Sequence, residues 1–200
     1  MQDKAAYINS IVETLEKNPY YTRHFDYRGR KALMFLDVSN LLCRAYDFSV
    51  WIDVADLVCI FSTLYELNGY YAYTSCNLSN GMVKFLYDTG FVVHQNPFDS
   101  DAIMGFTISD VSRESDVDLV LLGTHDGGFR GVRDQLVRRG VHVAFLGFRD
   151  MFSSFLRSDL LFCFEDLNIL SPMRETSKSA TVDNAEAQIE VQQPNSTFGL

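Results

Sequence analysis

Proline is scarce in this 200-residue chain, with four, and so is cysteine, with Cys43, Cys59, Cys76 and Cys163 too far apart to form a Cys-x-x-Cys pair. That spacing argues against a zinc site and a disulfide scaffold, and it suits a reducing, cytoplasmic setting where cysteines act as small buried hydrophobes. No apolar run approaches the ~18 residues of a membrane span, the longest being short stretches such as residues 57–61. The opening MQDKAAYINS has no basic segment followed by an apolar block, so no secretory signal is readable. Positive charge is also short, with 17 Lys and Arg against 26 Asp and Glu and a net charge of −9. Residues 171–200 hold two basic and four acidic side chains, which leaves 15 and 22 in residues 1–170, so the acidity is not confined to the tail. A broad basic surface for gripping nucleic acid is therefore absent. Several sequence motifs are missing as well. There is no GxxxxGK[ST] phosphate loop, no GxSxG elbow, and no GxGxxG after a first strand. Ser39 stands where a haloacid-dehalogenase phosphatase needs its second acid.

The rest is ordinary globular composition, 47% hydrophobic and 22% charged, at a length that suits one domain. Residues 3–16 place Ala5, Ile8, Ile11, Val12 and Leu15 at helical spacing until Pro19 stops the run. The segment PYYTRHFDYRGRK reads as a basic aromatic loop, making residues 1–30 an N-terminal helix and connector. From residue 31 a unit recurs of short apolar strand, polar turn, amphipathic helix and glycine. Strands are predicted at 32–36, 70–74, 91–94, 117–122, 141–146 and 160–164. Helices are predicted from Asp53 to a stop at Gly69, at 79–89, 101–111 and 128–139, with a short one at 151–157. Such alternation implies an α/β three-layer sandwich with a mainly parallel central sheet of five or six strands over residues 31–170. Residues 171–200 are too polar to bury much surface and read as a disordered tail.

In open α/β sheets ligands bind beyond the carboxyl ends of the strands, where strand order reverses. Three strand ends carry aspartates there: Asp37 after the first, Asp99 and Asp101 after the third, and Asp126 after the fourth. Any one of them could be a helix N-cap. Three together would repel one another and lose solvation, so their convergence implies a cation.

These residues resemble a known family. LMFLDVSNLLCRAY looks like the opening strand of PIN-like nucleases, where an Asp ends the strand and an Asn follows three residues later, and like the same element of flap-type 5′ nucleases. DVDLVLLGTHDGGFRGVRDQLVRRGVHVAFLGF is similar to the NYN branch, whose strand ends in Ser-Gly-Asp-x-Asp-Phe, and SDLLFCFEDL resembles its closing strand. The resemblance spans residues 31–168. It implies metal-binding roles for Asp37, Asp101 and Asp126, with Asn40 assisting Asp37, and it matches Thr124 to the Ser of the signature. The chain departs from the pattern at three places: Gly128 replaces the second Asp, His125 replaces the Gly, and Thr107 stands where many members have another Asp.

Carboxylates alone select magnesium or manganese over zinc, and such an ion activates water and neutralises charge on a phosphodiester. The implied activity is a metal-dependent nuclease, with RNA the expected substrate ahead of DNA. Thr124, Gly127, Arg130 and Arg133 are candidates for substrate binding, the glycine because it opens a helix whose N–H groups face anions. His125 is either a general acid or base, or a loop residue turned away from Asp126. Tyr46, Phe48, Trp51 and Phe98 are candidates for stacking on bases, or core and loop anchors. Two other readings stay open: a degenerate module that binds RNA or protein without cleaving, and a flavodoxin-like phosphate-handling protein. A homodimer or protein contact would use the N-terminal helix or the tail.

Overall fold

The computed structural model describes residues 3–97, 100–156 and 160–173. The first half runs α1 (Lys4–Lys17), β1 (Lys31–Asp37), α2 (Val38–Asp47), β2 (Val50–Ile52), α3 (Val54–Leu64), β3 (Glu66–Thr74) and α4 (Asn80–Asp88). The second runs β4 (Val92–Gln95), α5 (Ser100–Glu114), β5 (Leu119–Gly123), α6 (Arg130–Arg138), β6 (His142–Gly147), β7 (Leu160–Cys163) and β8 (Leu170–Pro172). Six strands form one sheet in the order β4-β3-β1-β5-β6-β7, every pair parallel. The chain steps outward from β1 through β3 to β4, and α5 then carries it back to β5 on the other side of β1. Strand order therefore reverses at β1 and β5.

Alternating side chains along each strand feed two separate cores. Ala32, Met34 and Leu36 of β1 join Leu121 and Leu146 beneath α1, α2, α3 and α4. Leu33 and Phe35 face the other way and join Leu122 and Phe145 beneath α5 and α6. Short polar side chains start the helices, Asp53 accepting from the Asp56 N–H and Ser79 from the Met82 N–H. Gly90 (φ 99°) and Gly140 (φ 82°) end α4 and α6 in the left-handed region.

The structure corrects several local expectations. The expected basic aromatic loop contains a 3-10 helix (Pro19–Tyr27) that buries Tyr21 and His24, while α1 buries Ile8, Ile11, Val12 and Leu15 as its spacing predicts. Gly69 does not stop α3. It lies inside β3 at a bulge, where Ala32 pairs with Leu67 and Leu33 with Gly69. A helix follows Asp37 at once. The 128–139 helix opens as a 3-10 turn (Gly127–Phe129) before α6, and 151–157 yields 3-10 turns at Arg149–Met151 and Ser154–Leu156. The start of the expected tail is β8, paired antiparallel with β2. The rest of that tail lies outside the described residues. Among the described residues no helix is long and apolar enough to cross a membrane.

Candidate active site

The reversal point of the sheet carries the acids. Asp37 ends β1 and caps α2, its Oδ1 accepting from the Asn40 N–H at 3.0 Å. Beyond β5, the fully buried Thr124 connects the two strand ends. Its hydroxyl donates to Asp37 Oδ2 at 3.4 Å and accepts from the Asp126 N–H at 3.2 Å. Asp126 turns one oxygen back onto the Gly128 N–H at 2.8 Å, capping the following turn. Asp101 stands in the first turn of α5. It lines the same groove as Asp126, of about 400 Å³.

Asp37 is only 4% exposed. Loss of hydration pushes its carboxyl up to about 6, and the negative charges of Asp101 and Asp126 push the same way, against the stabilising bonds from Asn40 and Thr124. The fields of Asp101 and Asp126 therefore reach Asp37, whose ionised form is disfavoured by them and by its burial.

His125 takes a different place from Asp126. Its main-chain N–H donates to Asn40 Oδ1 at 3.0 Å, and its Nδ1 lies 2.8 Å from the same oxygen. The Phe148 N–H donates to Nε2 at 2.8 Å. Nε2 must then be the acceptor and Nδ1 must carry the hydrogen, which fixes one neutral tautomer. Burial lowers the imidazole to about 4. With both nitrogens committed and its charged form disfavoured, His125 is a strut between the ends of β1, β5 and β6, and not an acid or base. A Cβ at Gly147 would stand 2.5 Å from its Nε2, so the glycine makes room for the ring.

Asn40 is expected to assist Asp37 through a hydrogen bond or a water-mediated metal contact; its main-chain N–H donates to Asp37, while its side-chain oxygen is taken up by His125. It positions the loop that carries Asp126. The Gly128 N–H expected to face an anion is taken by Asp126. Gly127 sits against Ser153, where a Cβ would lie 2.5 Å from Oγ. Arg130 lies over the Phe155 ring at 5.7 Å with its guanidinium half exposed, and Arg133 pairs with Asp134 at 2.8 Å. Tyr46, Phe48 and Trp51 are partly exposed. Phe48 packs on Phe148, and Trp51 belongs to the small second sheet. Asp99 and Phe98 lie outside the described residues. Sequence reasoning missed Phe106, which is 73% exposed on α5 beside the groove. It also missed Arg139, which reaches from the end of α6 to the Ser109 and Ser112 carbonyls of α5 at 3.3 and 2.9 Å. An apolar residue on the outer face of α5 was the available signal for Phe106. No local pattern marks Arg139.

Among the described residues no group of three or more His, Cys, Asp or Glu side chains is arranged to hold a metal ion. A direct protein cage therefore does not fit. The acceptors are all oxygen, however, and among the described residues the groups that shift the buried Asp37 are Asn40, Thr124, Asp101 and Asp126, none of them a cation. That combination fits a hard divalent ion that keeps most of its waters and uses one or two carboxylates, as magnesium commonly does.

No protein-family model matches the chain, and no curated protein matches it. Among solved structures it is similar to the crystal structure of a protein of unknown function, VPA0982 from Vibrio parahaemolyticus RIMD 2210633. The TM-score is 0.57 at 20% identity, covering 69% of this chain and 93% of that one. At that identity the likeness bears on the fold alone, an α/β arrangement of helices around a parallel central sheet.

Proposed function

We propose that this chain is a metal-dependent nuclease of the PIN-like kind, close to its NYN branch, hydrolysing phosphodiester bonds of RNA at the carboxyl edge of the sheet. One observation carries the reading: Thr124 ties Asp37 to Asp126 at the strand-order reversal, while Asp101 and Asp126 open onto one groove. Asp37 and Asp126 would hold a magnesium or manganese ion, with Asp101 completing the set. When bound, the ion supplies a water of lowered pKa and draws charge from the phosphate oxygens. The chain's own part is placement. Thr124 fixes the Asp37 carboxyl, and the Asn40–His125–Phe148 chain fixes the loop that presents Asp126. Burial of Asp37 keeps competing water from one side of the site.

The test is cleavage of an end-labelled single-stranded RNA in manganese by the wild type and by an Asp37→Asn/Asp126→Asn double variant. Cleavage by the wild type that falls to background in the variant supports the reading. Equal cleavage by both sinks it.

A second reading, a module that binds nucleic acid or protein without cleaving, draws on two facts. Both Asp37 and Asp126 spend an oxygen on a backbone N–H, and Gly128 stands where the resembling family has another acid. That reading predicts RNA binding without product in any divalent metal.

A further inference from the structure

Cysteine is among the side chains most often buried, and the cysteines of this chain are expected to act as small buried hydrophobes. Two of them do. Cys163 belongs to one core and the half-buried Cys59 packs against the other. Cys43 and Cys76 are exposed, and neither core includes them.

These two thiols, distant in sequence, meet at the carboxyl edge of the sheet. Cys43 is on α2, and Cys76 follows the end of β3. Ser39 stands between them. Its Oγ faces Cys76 Sγ at 3.9 Å. Cys43 is four residues on from Ser39 in α2, on the same face, where side chains so spaced are ~5–6 Å apart. Burial pushes the Cys43 thiol up, and the charge on Cys76 adds to it, so each sulfur lies within the field of the other. The turn that carries Cys76 hangs on hydroxyls. Thr74 Oγ1 donates to the Cys76 carbonyl at 3.0 Å, accepts from the Cys76 N–H at 3.2 Å, and lies 3.0 Å from Ser39 Oγ. Sγ itself is 3.2 Å from Thr74 Oγ1. A change of the Cys76 χ1 well therefore moves the sulfur without breaking a main-chain bond.

We propose that Cys43 and Cys76 are a reversible dithiol–disulfide pair that closes on meeting a hydroperoxide and fastens α2 to the turn after β3. The pair stands apart from the nuclease reading, although α2 is the helix that Asp37 caps. Burial disfavours the thiolate at Cys43, so Cys76 meets the oxidant first. With hydrogen peroxide, the Cys76 sulfur bonds one oxygen as the O–O bond breaks, and the other oxygen leaves as water with the thiol proton. The Cys43 sulfur then bonds the Cys76 sulfur, the S–O bond breaks, and its oxygen leaves as water with the Cys43 proton. Two electrons pass from the sulfurs to the peroxide. A dithiol reductant reopens the bridge by exchange.

The test counts thiols in the full chain, unfolded after brief treatment with hydrogen peroxide and removal of the excess. The wild type should fall from four thiols to two and regain four in dithiothreitol, with no cross-linked dimer on a non-reducing gel. The oxidised protein should melt about 5–15 °C higher, a gain lost on reduction. Cys59→Ser should fall from three thiols to one. Cys43→Ser and Cys76→Ser, conservative changes at exposed positions, should form no internal bridge, and Cys43→Ser should instead carry a dimedone-reactive sulfenic acid at Cys76. Survival of all four thiols in the wild type overturns the proposal. So does a loss that dithiothreitol does not reverse, an internal bridge that persists in Cys43→Ser or Cys76→Ser, or a disulfide-linked dimer in place of the bridge. A bridge that forms in a protein without cleavage in manganese supports the pair and removes the nuclease reading alone.

Discussion

At the end of β1, Asp37 is charged at neutral pH only against its own burial and the fields of Asp101 and Asp126, which together move its titration up to about 6. An unfolded Asp titrates near ~3.9. Between those values the folded protein keeps a proton that the unfolded chain has released, so this group's contribution to stability falls as pH rises through the window. Above about pH 6 the full penalty stands, roughly 3 kcal/mol. Asn caps a helix as well as Asp does. Asp37→Asn is therefore expected to raise the melting temperature at pH 7.5 by about 6–12 °C, with the gain vanishing near pH 4. Melts at the two pH values check it, and a destabilised variant at pH 7.5 contradicts it. His24 and His125 act in the opposite sense. Both are lowered to about 4 by burial, so the unfolded chain binds protons below ~6.5 that the folded one refuses. In the same series the wild type should lose stability from pH 6.5 toward 4, less steeply than two histidines alone would give, because Asp37 offsets part of the loss.

The elements around the site are coupled through His125, which joins the first turn of α2 to the segment after β6 by hydrogen bonds at both ring nitrogens. Gly147→Ala would push a methyl into that ring and free the Phe148 N–H, costing about 1–3 kcal/mol. The Asp126 loop would lose its strut, so cleavage should fall together with stability in urea titrations and RNA assays. A variant of unchanged stability would show the ring to be free to move. This coupling marks the limit of what the sequence made legible. The apolar runs of β1, β5 and β6 and the glycines at 90 and 140 announced the parallel sheet, because those are local patterns with local causes. The acids at strand ends were legible for the same reason. The 3-10 helix at Pro19–Tyr27 was not, since Tyr21 and His24 are buried by long-range contacts, Tyr21 donating to Asp166 at 2.5 Å. Nor were β2 and β8, three-residue strands that form only by pairing across most of the chain. His125 and Asn40 look like site residues in a one-dimensional reading. They become scaffold once their partners, Phe148 among them, are brought alongside.

At the scale of the whole molecule, the sheet's reversal at β1 and β5 brings the carboxyl ends of two strands some eighty residues apart side by side, and the proposed site rests on that juxtaposition. The chain is acidic overall, and the groove between α5 and α6 opens beside Asp101 and Asp126. All of this depends on Asp37, Asp101 and Asp126 sharing a divalent ion. Electron paramagnetic resonance of manganese titrated with the protein tests that directly, since the six-line signal of free manganese fades as the ion is bound. The wild type should show saturable binding at a single class of site, and Asp37→Asn/Asp126→Asn should leave the free-ion signal undiminished. A wild-type signal that stays at the free-ion level, or equal loss of signal with both proteins, would contradict the account.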